Sequence, residues 1–79
     1  MRLDKYLKVS RLIKRRTVAN EACDNGRVLV NGKVAKASQE VKAGDKIEIG
    51  LGSRTLAVEV LQVAEAVRKD DAAAMYREI

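Results

Sequence analysis

Apolar residues recur along this chain with two different periods. Leu3, Tyr6, Leu7 and Ser10 fall at i, i+3, i+4 and i+7, one stripe of a helix, while Arg2, Lys5 and Lys8 lie off it. The spacing predicts a first helix over residues 2–8 or 2–9. Ser10 and Arg11 loosen the period, so a turn or a short helical turn is expected from there to Arg16. Thr17 is placed to cap a second helix over residues 18–24. Val18, Ala19, Ala22 and Cys23 would face inward, Glu21 and Asp24 outward. The small inward residues let the two helices approach closely. Asn25-Gly26 ends the second helix, with Gly26 supplying the left-handed C′ position.

From Arg27 onward the period is two. Residues 27–30 and 33–35 are β-branched runs separated by Asn31-Gly32, the strongest short hairpin signal, because a type I′ turn needs positive φ at both central positions. Ala43-Gly44-Asp45 marks a second turn, and residues 46–49 alternate as a half-buried strand. A loose connection through Gly50, Gly52 and Ser53 leads to residues 55–63, which alternate with Leu56, Val58 and Val60 on one face. Lys69-Asp70-Asp71 opens a last short helix in which Met75, Tyr76 and Ile79 share a face. No repeat, low-complexity segment or convincing domain boundary interrupts the 79 residues.

Charge changes this picture more than composition does. Residues 1–16 hold seven Lys or Arg and one acid, a net of +6. The other sixty-three carry nine basic and ten acidic groups, so the formal +5 of the chain sits at one end. Core packing is indifferent to such a gradient. A polyanionic partner is not, because each cation placed at a phosphate releases a condensed counterion. The first helical region is therefore the expected contact with RNA.

The chemical inventory argues against an enzyme. Histidine is absent, and the single Cys23 has no histidine to activate it. Neither zinc-ligand spacing nor a Gly-rich phosphate loop is present. No catalytic residue, metal or cofactor is expected. One cysteine excludes an internal disulfide and fits a reducing compartment. No apolar run approaches the ~20 residues of a membrane span, and the charged start has no signal-peptide character. The chain is accordingly read as complete, cytoplasmic, free of membrane and monomeric when unbound. With two Tyr and no Phe or Trp, it cannot build the aromatic platform of a single-strand reader. Shape and backbone of folded RNA are what it is equipped to recognise.

The order of short motifs narrows the reading. RLDKYL at 2–7, SR at 10–11, RRT at 15–17, GRV at 26–28, VNG at 30–32, KAS at 36–38 and VKAGDKI at 41–47 together resemble the S-four type of RNA-binding domain. The resemblance covers residues 1–50. It implies an α+β, S-four-like (alpha-L) fold: two short N-terminal helices packed on a small, twisted, mostly antiparallel sheet, here with a short C-terminal helix. Residues 1–63 would form the domain and 64–79 a helical tail of it. The stand-alone length and the opening resemble the bacterial S-four proteins of ribosome quality control. That likeness implies a site on an obstructed large ribosomal subunit, contact with large-subunit rRNA and P-site tRNA, and support for alanine tailing of stalled nascent chains by the partner factor RqcH. A heat-shock-type or assembly factor of the large subunit stays open, as does a targeting module for an RNA-modifying enzyme. Residues 64–79 hold three basic and four acidic groups, unlike the long basic extension of the heat-shock type.

The expected RNA contacts are Arg2, Lys5, Lys8, Arg11, Lys14, Arg15, Arg16, Thr17, Lys33 and Lys36. Arg15 and Arg16 precede a helix N-terminus, where cations gain nothing from the dipole, so phosphate explains them better. Thr17 could touch RNA as well as cap. Asp4 has two readings: a first-turn acid that favours the dipole or pairs with Lys8, or a carboxylate that orients Arg2 or a neighbouring arginine. Tyr6 and Cys23 are read as core.

Overall fold

A computed structural model describes residues 1–65 and 67–79; Ala66, within the 64–79 tail, lies outside them. Two helices, α1 (Leu3–Val9) and α2 (Arg16–Asp24), precede five strands: β1 (Val28–Val30), β2 (Lys33–Val34), β3 (Lys46–Leu51), β4 (Arg54–Val60) and β5 (Tyr76–Glu78). A 3-10 helix, Lys69–Met75, stands between β4 and β5. The sheet runs β2-β1-β3-β4-β5 with antiparallel neighbours throughout. Three helices on an antiparallel sheet make the α+β fold that the S-four resemblance implies.

The alternation of the strands decides which face is covered. Val28, Val30, Ile47, Ile49, Val58 and Val60 point to one side and are buried. Leu3, Tyr6 and Leu7 from α1 and Ala19 and Cys23 from α2 complete that core. Each fully buried Leu, Ile or Val side chain contributes about 1.5–3 kcal/mol. The Tyr6 hydroxyl, fully buried, donates to the Met75 carbonyl at 2.8 Å, which ties the first helix to the last.

Turn chemistry follows the sequence closely. Asn31 (φ 52°) and Gly32 (φ 83°) both take the left-handed conformation of a type I′ turn. At the end of α2, Gly26 (φ 71°) donates to the Cys23 carbonyl and Arg27 to the Ala22 carbonyl, which is a Schellman motif. The buried Asp45 accepts from Asn31 Nδ2 at 3.1 Å and from the Lys42 N–H at 3.0 Å, while Asn31 Oδ1 accepts the Lys46 N–H. That latch joins the hairpin turn to the entry of β3.

Three expectations need correction. The second helix begins at Arg16, with Arg15 as the extended N-cap residue and no side-chain cap, so Thr17 lies inside the first turn. Contacts of Arg16 and Asn20 with α1 outweigh the capping preference of threonine. Val18 is exposed at 48%; the buried stripe of α2 is confined to Ala19 and Cys23, with Ala22 half-buried. The last helix stops at Met75 and residues 76–78 continue as β5. The Met75 carbonyl is taken by Tyr6 and by the Leu61 N–H, and β5 pairs with β4 instead of extending the helix. Ile79 consequently shares no buried face with Met75 and is 56% exposed.

Candidate nucleic-acid interface

The start of α1 is built into the fold through its backbone. Two N–H groups that a helix N-terminus leaves unpaired, those of Leu3 and Asp4, donate to the Gln39 and Ala37 carbonyls at 2.8 and 3.1 Å. The Val41 N–H donates to the Met1 carbonyl, and Arg2 bridges Glu40. Ala37 and Val41 are buried beneath this contact. Arg2 therefore projects from a backbone fixed on both sides.

Asp4 sits one residue into α1 and is 2% exposed. Its Oδ1 accepts the Lys5 N–H at 2.8 Å and Arg2 Nε at 3.2 Å. Its Oδ2 accepts Arg16 Nε at 3.3 Å, Asn20 Nδ2 at 3.3 Å and Arg2 Nη2 at 3.4 Å. Arg16 and Asn20 are four residues apart on α2, so one turn of that helix presents both to the carboxylate. Burial alone would push the Asp4 carboxyl up, but hydrogen bonds from Arg16, Asn20 and the Lys5 N–H hold it below the usual carboxylate range. No ion pair joins Asp4 to Lys8 among the described residues; the carboxylate is spent on the two arginines.

The guanidinium groups are caught by their inner edges. Arg2 and Arg16 side chains remain 51% and 48% exposed. Arg16 gives only Nε to Asp4, so its two Nη groups stay unbonded to the carboxylate. A planar fork held from behind is suited to bidentate capture of a phosphate. Shallow hollows flank this clamp: one bordered by Arg16, Thr17, Asn20 and Glu21, the other by Arg2, Asn20, Val34 and Lys36.

The expected contacts divide into groups. Arg2, Arg16, Thr17 and Lys36 surround the Asp4 clamp. Lys8, Arg11 and Lys14 stand together at the far end of α1. Lys5, only 34% exposed, is paired with Glu65. Arg15 is exposed at the entrance to α2. Lys33 lies on β2 in register with Val30 and lines neither hollow beside the clamp. Sequence reasoning missed Asn20 and Glu65. Asn20 carries a usable signal, its i+4 spacing from Arg16; Glu65 is sixty residues from Lys5 and carries none.

Burial, with the nearby Asp4 and Asp24 charges, pushes the Cys23 thiol up to about 11, so it is a neutral thiol at pH 7. Among the described residues no three His, Cys, Asp or Glu side chains gather as a metal site, and no helix is long and apolar enough to cross a membrane.

Comparison with known proteins agrees with this fold. The S4 domain family, the S-four type named above, matches residues 1–47. The RQC P-site tRNA stabilizing factor of Streptococcus pneumoniae is 57% identical over 76 residues, covering 96% of this chain and 86% of that protein. Among solved structures, the trimeric heat shock protein 15 of Vibrio cholerae superposes with a TM-score of 0.92 at 31% identity, over 100% of this chain and 81% of that one. The solution structure of HP1423 gives 0.85 at 37%, over 100% and 96%. From its motifs, its fold and these relatives, the chain belongs to the S4 domain family.

Proposed function

We propose that this protein is a non-catalytic RNA-binding factor of ribosome-associated quality control, acting in the cytoplasm. It binds large-subunit rRNA and P-site tRNA on a large subunit obstructed by a stalled nascent chain, and it supports C-terminal alanine tailing by RqcH. The observation that carries the RNA-binding part is the Asp4 clamp. A carboxylate 2% exposed holds Arg2 and Arg16, whose side chains stay 51% and 48% exposed, a costly arrangement for a surface that meets only water. The relatives named for stabilizing P-site tRNA support the setting, since their likeness extends over nearly the whole chain.

Sucrose-gradient sedimentation with large subunits carrying peptidyl-tRNA tests the proposal. Arg2→Ala and Arg16→Ala, assayed well below their melting temperatures, should each lower association by about tenfold, the loss of one charge-assisted phosphate contact. Cells carrying Arg16→Ala should lose alanine tails from stalled chains. Undiminished co-sedimentation of both variants would overturn the reading. Stable co-purification with a catalytic partner, independent of ribosomes, would favour an enzyme-targeting module in its place.

A further inference from the structure

Lys8, Val9, Arg11, Lys14, Glu65 and Val67 enclose a notch of about 210 Å³ at the end of α1. Arg11 occupies the left-handed C′ position there, at φ 62°, and donates its N–H to the Lys8 carbonyl. The same position after α2 is filled by Gly26. An arginine in this conformation carries steric strain that glycine avoids. Its side chain is exposed and makes no hydrogen bond or ion pair among the described residues, so the fold has no use for it. A ligand met by that side chain would account for its presence.

Each group around the notch matches one part of a nucleotide. Lys8, Arg11 and Lys14 suit a phosphate. Val9 and Val67, both half-buried, offer apolar walls to the face of an unstacked base. Glu65 is the informative member. Lys5 bonds its Oε2 and lowers its carboxyl below the ordinary range, so the rim carries an ionised acceptor. A site for phosphate alone gains nothing from a carboxylate, which repels the anion. Guanine is the one RNA base that presents two adjacent N–H donors on its Watson–Crick edge, and these match the two oxygens of a carboxylate.

We infer that the notch receives one unstacked guanine nucleotide of the bound RNA, its phosphate on Lys8, Arg11 and Lys14 and its Watson–Crick edge on Glu65. This rests on the RNA-binding reading and adds to it a base-specific contact that backbone recognition lacks.

The test is nitrogen-resolved NMR of the intact chain, titrated with the four ribonucleoside 5′-monophosphates and with inorganic phosphate. Guanosine monophosphate should shift the amide signals of Val9 and Val67 and bind about fivefold more tightly than uridine monophosphate, a modest share of what a bidentate base contact discriminates. Inorganic phosphate should move Arg11 and Lys14 and leave Val67 in place. Glu65→Gln should abolish the guanine preference. Arg11→Gly should weaken nucleotide binding while raising the melting temperature, an opposition that a merely structural residue does not produce. The inference is overturned if phosphate alone reproduces the whole shift pattern, or if no nucleotide moves Val9 and Val67. A guanine preference that survives in Glu65→Gln overturns the base contact. Arg2 and Arg16 lie outside the notch, so the clamp and the notch can fail separately.

Discussion

A single buried carboxylate organises the strongest charges of this surface. Asp4 gives up its hydration to bond five N–H groups, from Arg2, Arg16, Asn20 and Lys5. Removing it leaves two arginines repelling one another at a half-exposed surface. Asp4→Ala should therefore destabilise the fold by about 1–2 kcal/mol, less than a fully buried pair would cost because solvent screens the guanidinium groups. Asp4→Asn should weaken large-subunit binding although the net positive charge rises, since the arginines lose their orientation. Tighter binding by Asp4→Asn at unchanged melting temperature would show that only the field of the charges matters. The pH dependence has a definite sign. The folded-state pKa of Asp4 lies below its unfolded value of about 3.9, so its contribution is present above that value. It is lost as the pH falls through the folded value. Melts of wild type and Asp4→Asn should differ at neutral pH and converge in acid.

At the scale of elements, what could be read from the sequence was whatever local chemistry controls. The stripe Leu3, Tyr6, Leu7 placed α1 to within a residue, Asn31-Gly32 placed the hairpin, and Gly26 placed the end of α2. Where long-range contacts decide, the local signal misled. Thr17 is a better cap than Arg15 by propensity, yet α2 starts earlier because Arg16 and Asn20 reach Asp4 across the hairpin. Tyr76 looks helical until the Met75 carbonyl is claimed by Tyr6 and Leu61 and the chain turns into β5. Of the candidate site, the cations were legible as a block of charge. Their division between clamp and notch was not, because it depends on how α2 and the loop after β4 fold back on α1. The Asn31–Asp45 latch belongs to this long-range class as well. Asp45 is 7% exposed and leaves Asn31 Nδ2 and the Lys42 N–H unpaired when truncated. Asp45→Ala should cost about 1–3 kcal/mol in denaturant unfolding. RNA binding should stay unchanged below the melting temperature, since the latch lies on the hairpin and not on the clamp. A matching loss of RNA affinity would place the latch within the binding surface.

On the scale of the whole molecule, the fold converts a charge gradient along the chain into a charged end of a body 28 × 24 × 23 Å across. The net +6 of residues 1–16 is carried by α1 and the entrance to α2. The sheet contributes compensated pairs such as Arg77 with Glu59. Under the proposed RNA-binding reading, a polyanion meets this end first, and the rest of the surface adds little to the attraction. Counterion release makes this measurable. If about five phosphates are neutralised, the logarithm of the binding constant for large-subunit RNA should fall against the logarithm of salt concentration with a slope of roughly −3.5 to −4.5. Arg2→Ala or Arg16→Ala should each reduce that slope by about 1. Arg54→Ala and Arg77→Ala remove the same formal charge from the sheet and should leave the slope unchanged, because neither lies near the clamp in sequence or on its helices. Equal reductions for all four variants would mean that the chain binds through its net charge and not through one face. A slope near zero would mean that phosphate contacts do not drive binding at all. The gradient, the clamp and the notch predict a steep slope with a strict dependence on which arginine is lost.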